Sequence, residues 1–118
     1  MDVDELANRL AAVANPHRLR ILAQLASGST HVSELARRLG MSRALLYMHI
    51  RRLEEAGFVS GHLELSADGK ALKYFAIVPF EVLVDIGAVV AAVKASPALG
   101  GISSGGLAPL ADEGDQRA

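Results

Sequence analysis

The stretch VSELARRLGMSRALLYMHIRRLEEA, residues 32–56, decides the fold. Val32, Leu35, Ala36 and Leu39 recur at three- and four-residue steps, as on one face of a helix, and Gly40 is the residue type that commonly follows a helix end. Ser42 then suits the N-cap of a second helix, with Leu46, Ile50 and Leu53 facing inward until Gly57 stops it at about Ala56. Only Gly40-Met41-Ser42 separates the two, so the pair reads as a helix-turn-helix.

Upstream, Val3, Leu6, Leu10 and Val13 mark an amphipathic helix with Asp2, Asp4 and Glu5 at its positive end. Asn15-Pro16 ends it and opens the next, because Asn caps well and proline at the first helical position loses no needed hydrogen bond. That helix is predicted to bury Leu19, Leu22 and Leu25, with Ile21 beside them, and to stop at Ser27-Gly28. Downstream of Gly57 the period falls to two. His62-Leu63-Glu64-Leu65-Ser66 alternates, Ala71 to Val78 is rich in β-formers, and Asp68-Gly69 between them predicts a two-residue hairpin turn. Pro79 closes the strand, and a last helix is predicted from Phe80 to about Ala95. The expected architecture is mainly α (α+β), a winged helix-turn-helix of order ααααββα. One domain spans 1–95, and 96–118, rich in Gly, Ser, Ala and Pro with acidic Asp112, Glu113 and Asp115, reads as a disordered tail.

Composition narrows the function. The chain has 118 residues, 51% of them hydrophobic, which is enough for one core without a covalent staple. The absence of cysteine excludes disulfides and thiolate metal sites and fits an intracellular protein. The acidic start, Met1-Asp2-Val3-Asp4-Glu5, is unlike a secretory signal. The apolar run from Val82 to Val93, interrupted by Asp85, is shorter than the about 20 residues a membrane span needs. A soluble cytoplasmic protein with no membrane partner is expected. Net charge is −1, yet between Arg37 and Lys73 seven basic residues stand against four acids. That asymmetry suits a segment facing DNA, and equally a solvated helix face. No Gly-x-Ser-x-Gly, phosphate loop or dinucleotide fingerprint occurs, and Gly101-Ile102-Ser103-Ser104-Gly105-Gly106 has no strand before it and reads as linker, so an enzyme is not expected.

From Leu6 to Lys94 the residues resemble the ArsR (arsenic-repressor) family of winged-helix regulators. Three stretches carry the resemblance: Ala14-Asn15-Pro16-His17-Arg18-Leu19-Arg20-Ile21-Leu22, Val32 through Ser42, and His49-Ile50-Arg51-Arg52-Leu53-Glu54-Glu55-Ala56-Gly57-Phe58-Val59. The resemblance implies a homodimer built on the first and last helices that binds a palindromic operator and usually represses. Metal sensing in the family uses cysteines in the third helix or Asp/His clusters in the last. This chain has neither, and His17, His31, His49 and His62 show no ligand spacing, so no metal and no cofactor are expected. A small apolar ligand between the end helices, a partner protein, temperature or no inducer at all stay open as the signal.

On the second helix of the pair, the face left outside is Ser42, Arg43, Ala44, Leu45, Tyr47 and Met48, with Arg51 and Arg52 further along. Arg43 is the candidate base reader, since its planar fork matches the two acceptors of guanine. Ser42 and Tyr47 can donate to phosphates and Arg51 can neutralise one. The family usually carries small polar residues and Gln here. The apolar Ala44, Leu45, Tyr47 and Met48 fit either thymine methyls or a place in the core or a protein contact. Lys70, after the hairpin turn, reads as a phosphate contact or a solvated turn lysine. Arg38, with Arg37, reads as a phosphate clamp or a short helix's polar face, and His49 as a partly buried positioning residue. A last helix apolar nearly all round needs burial on more than one side. Leu83, Ile86, Val89, Val90 and Val93, with Leu6, Leu10 and Val13 of the first helix, are therefore the expected dimer interface. The rival reading is a winged-helix protein-interaction module that no longer binds DNA.

Overall fold

The computed structural model describes residues 1–97; the tail expected at 96–118 falls, apart from Ser96 and Pro97, outside them. The elements run α1 (Val3–Val13), α2 (Pro16–Leu25), β1 (Thr30–His31), α3 (Val32–Leu39), α4 (Arg43–Glu55), β2 (Val59–Leu65), β3 (Ala71–Ile77) and α5 (Ile86–Ala95). This is a winged helix-turn-helix, mainly α with an antiparallel β wing. The described residues form two compact units, one of residues 7–82 and one of residues 1–6 with 83–97.

In the larger unit, Ile21, Leu35, Leu46, Ile50, Leu53, Phe58 and Phe75 are the largest fully buried side chains and form its core. Asn15 caps α2, its side chain accepting from the backbone N–H of His17 at 2.8 Å and of Arg18 at 3.3 Å. The inward face of α2 is Ile21, Leu22 and Leu25. Leu19, expected inside, is 54% exposed. Ile21 lies on the core side, and two residues of rotation carry Leu19 some 200° away from it.

The sheet has the order β1-β3-β2, every pair antiparallel. β1 was not foreseen, because two residues are too few to show a period; Thr30 pairs with Phe75 and His31 with Tyr74. The hairpin turn is one residue longer than Asp68-Gly69 alone. Ser66 N–H donates to Lys70 C=O at 2.7 Å, Gly69 N–H donates to Ser66 C=O at 2.9 Å, and Gly69 takes φ of 83°. A three-residue loop with glycine in the left-handed position is the next most favoured hairpin connection. At Gly61, opposite Phe75, a Cβ would sit 2.7 Å from Lys73 Cε and 2.9 Å from Phe75 Cε1, so the backbone passes close beneath both side chains.

In the smaller unit, Asp2 and Glu5 form a reciprocal cap at the start of α1: Asp2 N–H donates to Glu5 Oε1 and Glu5 N–H to Asp2 Oδ1, both at 2.9 Å. Val3 N–H donates to Ser96 Oγ at 2.9 Å, and that hydroxyl donates to Ala92 C=O at 3.0 Å. The last helix starts at Ile86, six residues later than expected from the apolar run. Asp85 causes this. Its extended backbone and its Oδ1, accepting from Ala88 N–H at 2.7 Å, make it an N-cap.

Gly61→Ala is expected to destabilise the fold by about 1–3 kcal/mol, since Phe75 is buried and cannot swing aside. A lower urea midpoint at unchanged m-value would register it.

Candidate nucleic-acid interface

α4 gives one side entirely to the core: Leu46, His49, Ile50 and Leu53, at steps of three, one and three, are all buried. The opposite side must then face out. Ser42 is the N-cap, its Oγ accepting from Leu45 N–H at 3.1 Å, which leaves the hydroxyl proton free to donate elsewhere. Arg43, Ala44 and Arg51 are exposed, Tyr47 is 45% and Met48 58% exposed, and Leu45 is half-buried. Arg43 Nη1 donates to Ser33 Oγ on α3 at 3.1 Å, so the guanidinium stands over the helix-turn-helix junction. Ser33 was not singled out from sequence, because nothing in its spacing reveals a partner ten residues away.

His49 is where α4 is gripped. Its Nδ1 accepts from Arg18 Nε at 3.1 Å, and Arg18 Nη1 also donates to the carbonyls of Ala11 at 3.2 Å and Ala12 at 3.3 Å. One guanidinium thus joins the end of α1, the start of α2 and the middle of α4. Burial, with the nearby charges of Arg18 and His17, holds the His49 imidazole below its ordinary pKa, so it stays neutral and can accept. The His17 ring lies 5.3 Å from it.

Arg38 and Arg37 both turn to Glu34. Arg38 Nε reaches Glu34 Oε2 at 2.8 Å and Arg37 Nε reaches Oε1 at 3.0 Å, and hydrogen bonds from these two guanidiniums bring the Glu34 carboxyl down to about 2. Lys70 is exposed at the wing tip, where its backbone N–H donates to Ser66 Oγ at 3.1 Å. Between α4 and the wing runs a groove lined by Tyr47, Ile50, Arg51, Glu54, Lys73 and Phe75. Lys73 was missed from sequence as a site residue, since only the strand register places it beside α4.

Of the residues expected at a dimer interface, Leu83, Ile86, Val90 and Val93 are exposed, Leu10, Val13 and Val89 are half-buried, and Leu6 is buried within the chain. Among the described residues no three His, Asp or Glu side chains converge as a metal-binding group. Nor is any described helix long and apolar enough to cross a membrane.

Residues 15–61 match the family described as bacterial regulatory protein, arsR family. The chain is similar to an uncharacterised HTH-type transcriptional regulator of Methanocaldococcus jannaschii, 34% identical over 74 residues that cover 63% of this chain and 77% of that one. It is also similar to the HTH-type transcriptional regulator NmtR of Mycobacterium tuberculosis, 39% identical over 57 residues, 48% of each chain. Among solved structures it is similar to a homodimeric winged helix-turn-helix DNA-binding domain from Mycobacterium bovis. The TM-score is 0.57 at 29% identity, covering 64% of this chain and 65% of that one.

The neutral His49 gives the fold a pH dependence whose sign is fixed. Its folded pKa lies below 6.5, so as pH falls through the unfolded value the unfolded chain takes up a proton that the folded one refuses, and stability drops. His49→Gln, which can accept from Arg18 without titrating, should flatten the fall of melting temperature between about pH 7 and pH 5 relative to wild type. Equal slopes would show that the Arg18–His49 contact is not responsible.

Proposed function

The chain belongs to the ArsR family of bacterial regulatory proteins, and from that membership we propose that it is a homodimeric repressor of transcription that binds a palindromic operator in double-stranded DNA. In this reading α4 enters the major groove and the β2–β3 hairpin is the wing. The observation that carries it is the sidedness of α4: one face is wholly buried, and the other presents Arg43, Ala44, Tyr47, Met48 and Arg51 outward from a capped N-terminus.

Arg43 reads guanine O6 and N7, a bidentate contact that discriminates by about 1–3 kcal/mol. The exposed apolar atoms of Ala44, Leu45, Tyr47 and Met48 suit thymine methyls. Ser42 donates to a phosphate, while Arg51 and Lys70 neutralise others. Arg38 joins them by exchanging its exposed pairing with Glu34, which is worth no more than about 1 kcal/mol, for a phosphate oxygen. Two copies of α4 must lie about 34–36 Å apart to meet successive major-groove faces. Exposed Ile86, Val90 and Val93 on α5, with exposed Leu83 before it, support the second copy as what sets that distance, and the similar Mycobacterium bovis domain is itself homodimeric.

Two variants test the reading. Arg43→Ala should weaken binding to the duplex that the protein selects from randomised DNA by about 5- to 150-fold for each of its two half-sites, and should relax preference at one base pair per half-site. Val90→Asp, which places a charge on an already exposed position and spares the core, should sediment as a monomer and lose operator binding. A wild-type protein that selects no duplex at low salt would instead support the protein-interaction module, favoured by the apolar Tyr47 and Met48.

A further inference from the structure

The hairpin's apolar alternation continues past the core. Val59, Gly61, Leu63 and Leu65 share one face of β2 and stand opposite Ile77, Phe75, Lys73 and Ala71. Val59 and Phe75 are buried, but Leu63 is 70% and Leu65 75% exposed. These leucines therefore project from the side of the wing that turns toward α4, continuing the wall that Lys73 adds to the groove. The acid and imidazole of the same strand, Glu64 and His62, pair with each other on the opposite face.

Across the groove stand Tyr47 and Arg51, successive residues on one stripe of α4. Among the described residues neither Arg51 nor Lys73 has a carboxylate within ion-pairing distance, and the Lys73 ammonium lies 5.9 Å from the Phe75 ring centre. Glu54 is the one carboxylate lining the groove, one turn further toward the C-terminus of α4 than Arg51. The slot thus has an apolar floor of Ile50 and Phe75, a cation on each wall, and an apolar ridge on the wing side.

We infer that this slot seats one strand of the DNA sugar-phosphate backbone, with Arg51 and Lys73 neutralising phosphates from opposite walls and Leu63 and Leu65 packing on the apolar faces of the deoxyribose rings. The inference rests on the proposed operator binding and adds contacts to it. A helix in the major groove and a hairpin reaching the neighbouring minor groove must straddle the single backbone strand that divides the two grooves. Charge complementarity selects a polyanion for the walls, and the leucines match the uncharged part of the same backbone.

The test uses the full chain and the duplex it selects from a randomised pool, titrated between about 50 and 200 mM salt. Lys73→Gln should reduce the steepness of log K against log salt by about 1.8, about 0.9 for each copy in the dimer, and weaken matched and mismatched duplexes alike. Lys94→Gln, which removes the same charge from α5, should leave the slope at the wild-type value. Leu63→Ser with Leu65→Ser should weaken binding several-fold at every salt concentration without changing the slope, and thermal melting should stay unchanged because both positions are solvent-exposed. A wild-type slope for Lys73→Gln, an equal loss for Lys94→Gln, or wild-type affinity for the leucine pair overturns the slot while Arg43→Ala still reports on operator binding. Failure of the wild-type chain to select any duplex removes both together.

Discussion

A helix has a limited circumference, and α4 commits one side of it completely. Leu46, His49, Ile50 and Leu53 are buried, and burying aliphatic side chains of this size stabilises by roughly 1.5–3 kcal/mol each, so the helix cannot roll about its axis without exposing several of them. The orientation of Arg43, Tyr47, Met48 and Arg51 follows from that constraint. Arg18 fixes the same helix by a different means. Its fork spans two carbonyls of α1 and the ring nitrogen of His49, so the polar member of the buried stripe has a partner. Packing sets the rotation of α4, and the hydrogen bond makes the choice sensitive to protonation.

What could be read in the sequence is what repeats. The α3–α4 pair, the cap at Ser42, the stop at Gly40 and the switch to strand after Gly57 all declare themselves through spacing and residue type, and the structure places them accordingly. The errors lie where a single polar side chain overrides an apolar run. Asp85 starts α5 six residues late although Val82, Leu83 and Val84 look like its continuation. Leu19 fails similarly, because α2 offers both 18-22-25 and 19-22-25 spacings and only the contact with α4 selects the side that carries Arg18 inward.

The candidate site was legible in α4 because cap, stripe and outward face belong to one continuous segment. Its neighbours were not. The approach of Ser33 to Arg43 and the register that sets Lys73 opposite Leu63 depend on tertiary pairing, which no local period encodes. His31 is a further case: its ring nitrogen caps α3 by accepting from Glu34 N–H at 3.5 Å, although histidine is not among the usual capping residues.

Among the described residues the sheet order leaves β2 with one neighbour only, so along its outer side the main-chain donors and acceptors of Val59–Leu65 have no strand partner. Such a border, carrying two solvent-facing leucines, is a template on which another extended chain can align and propagate. Glu64 and His62, on the other face of the same strand, put polar groups along that border and oppose such stacking. A polypeptide that keeps greasy residues on an unshielded strand gives up colloidal stability, and it resists clumping best when that strand is covered.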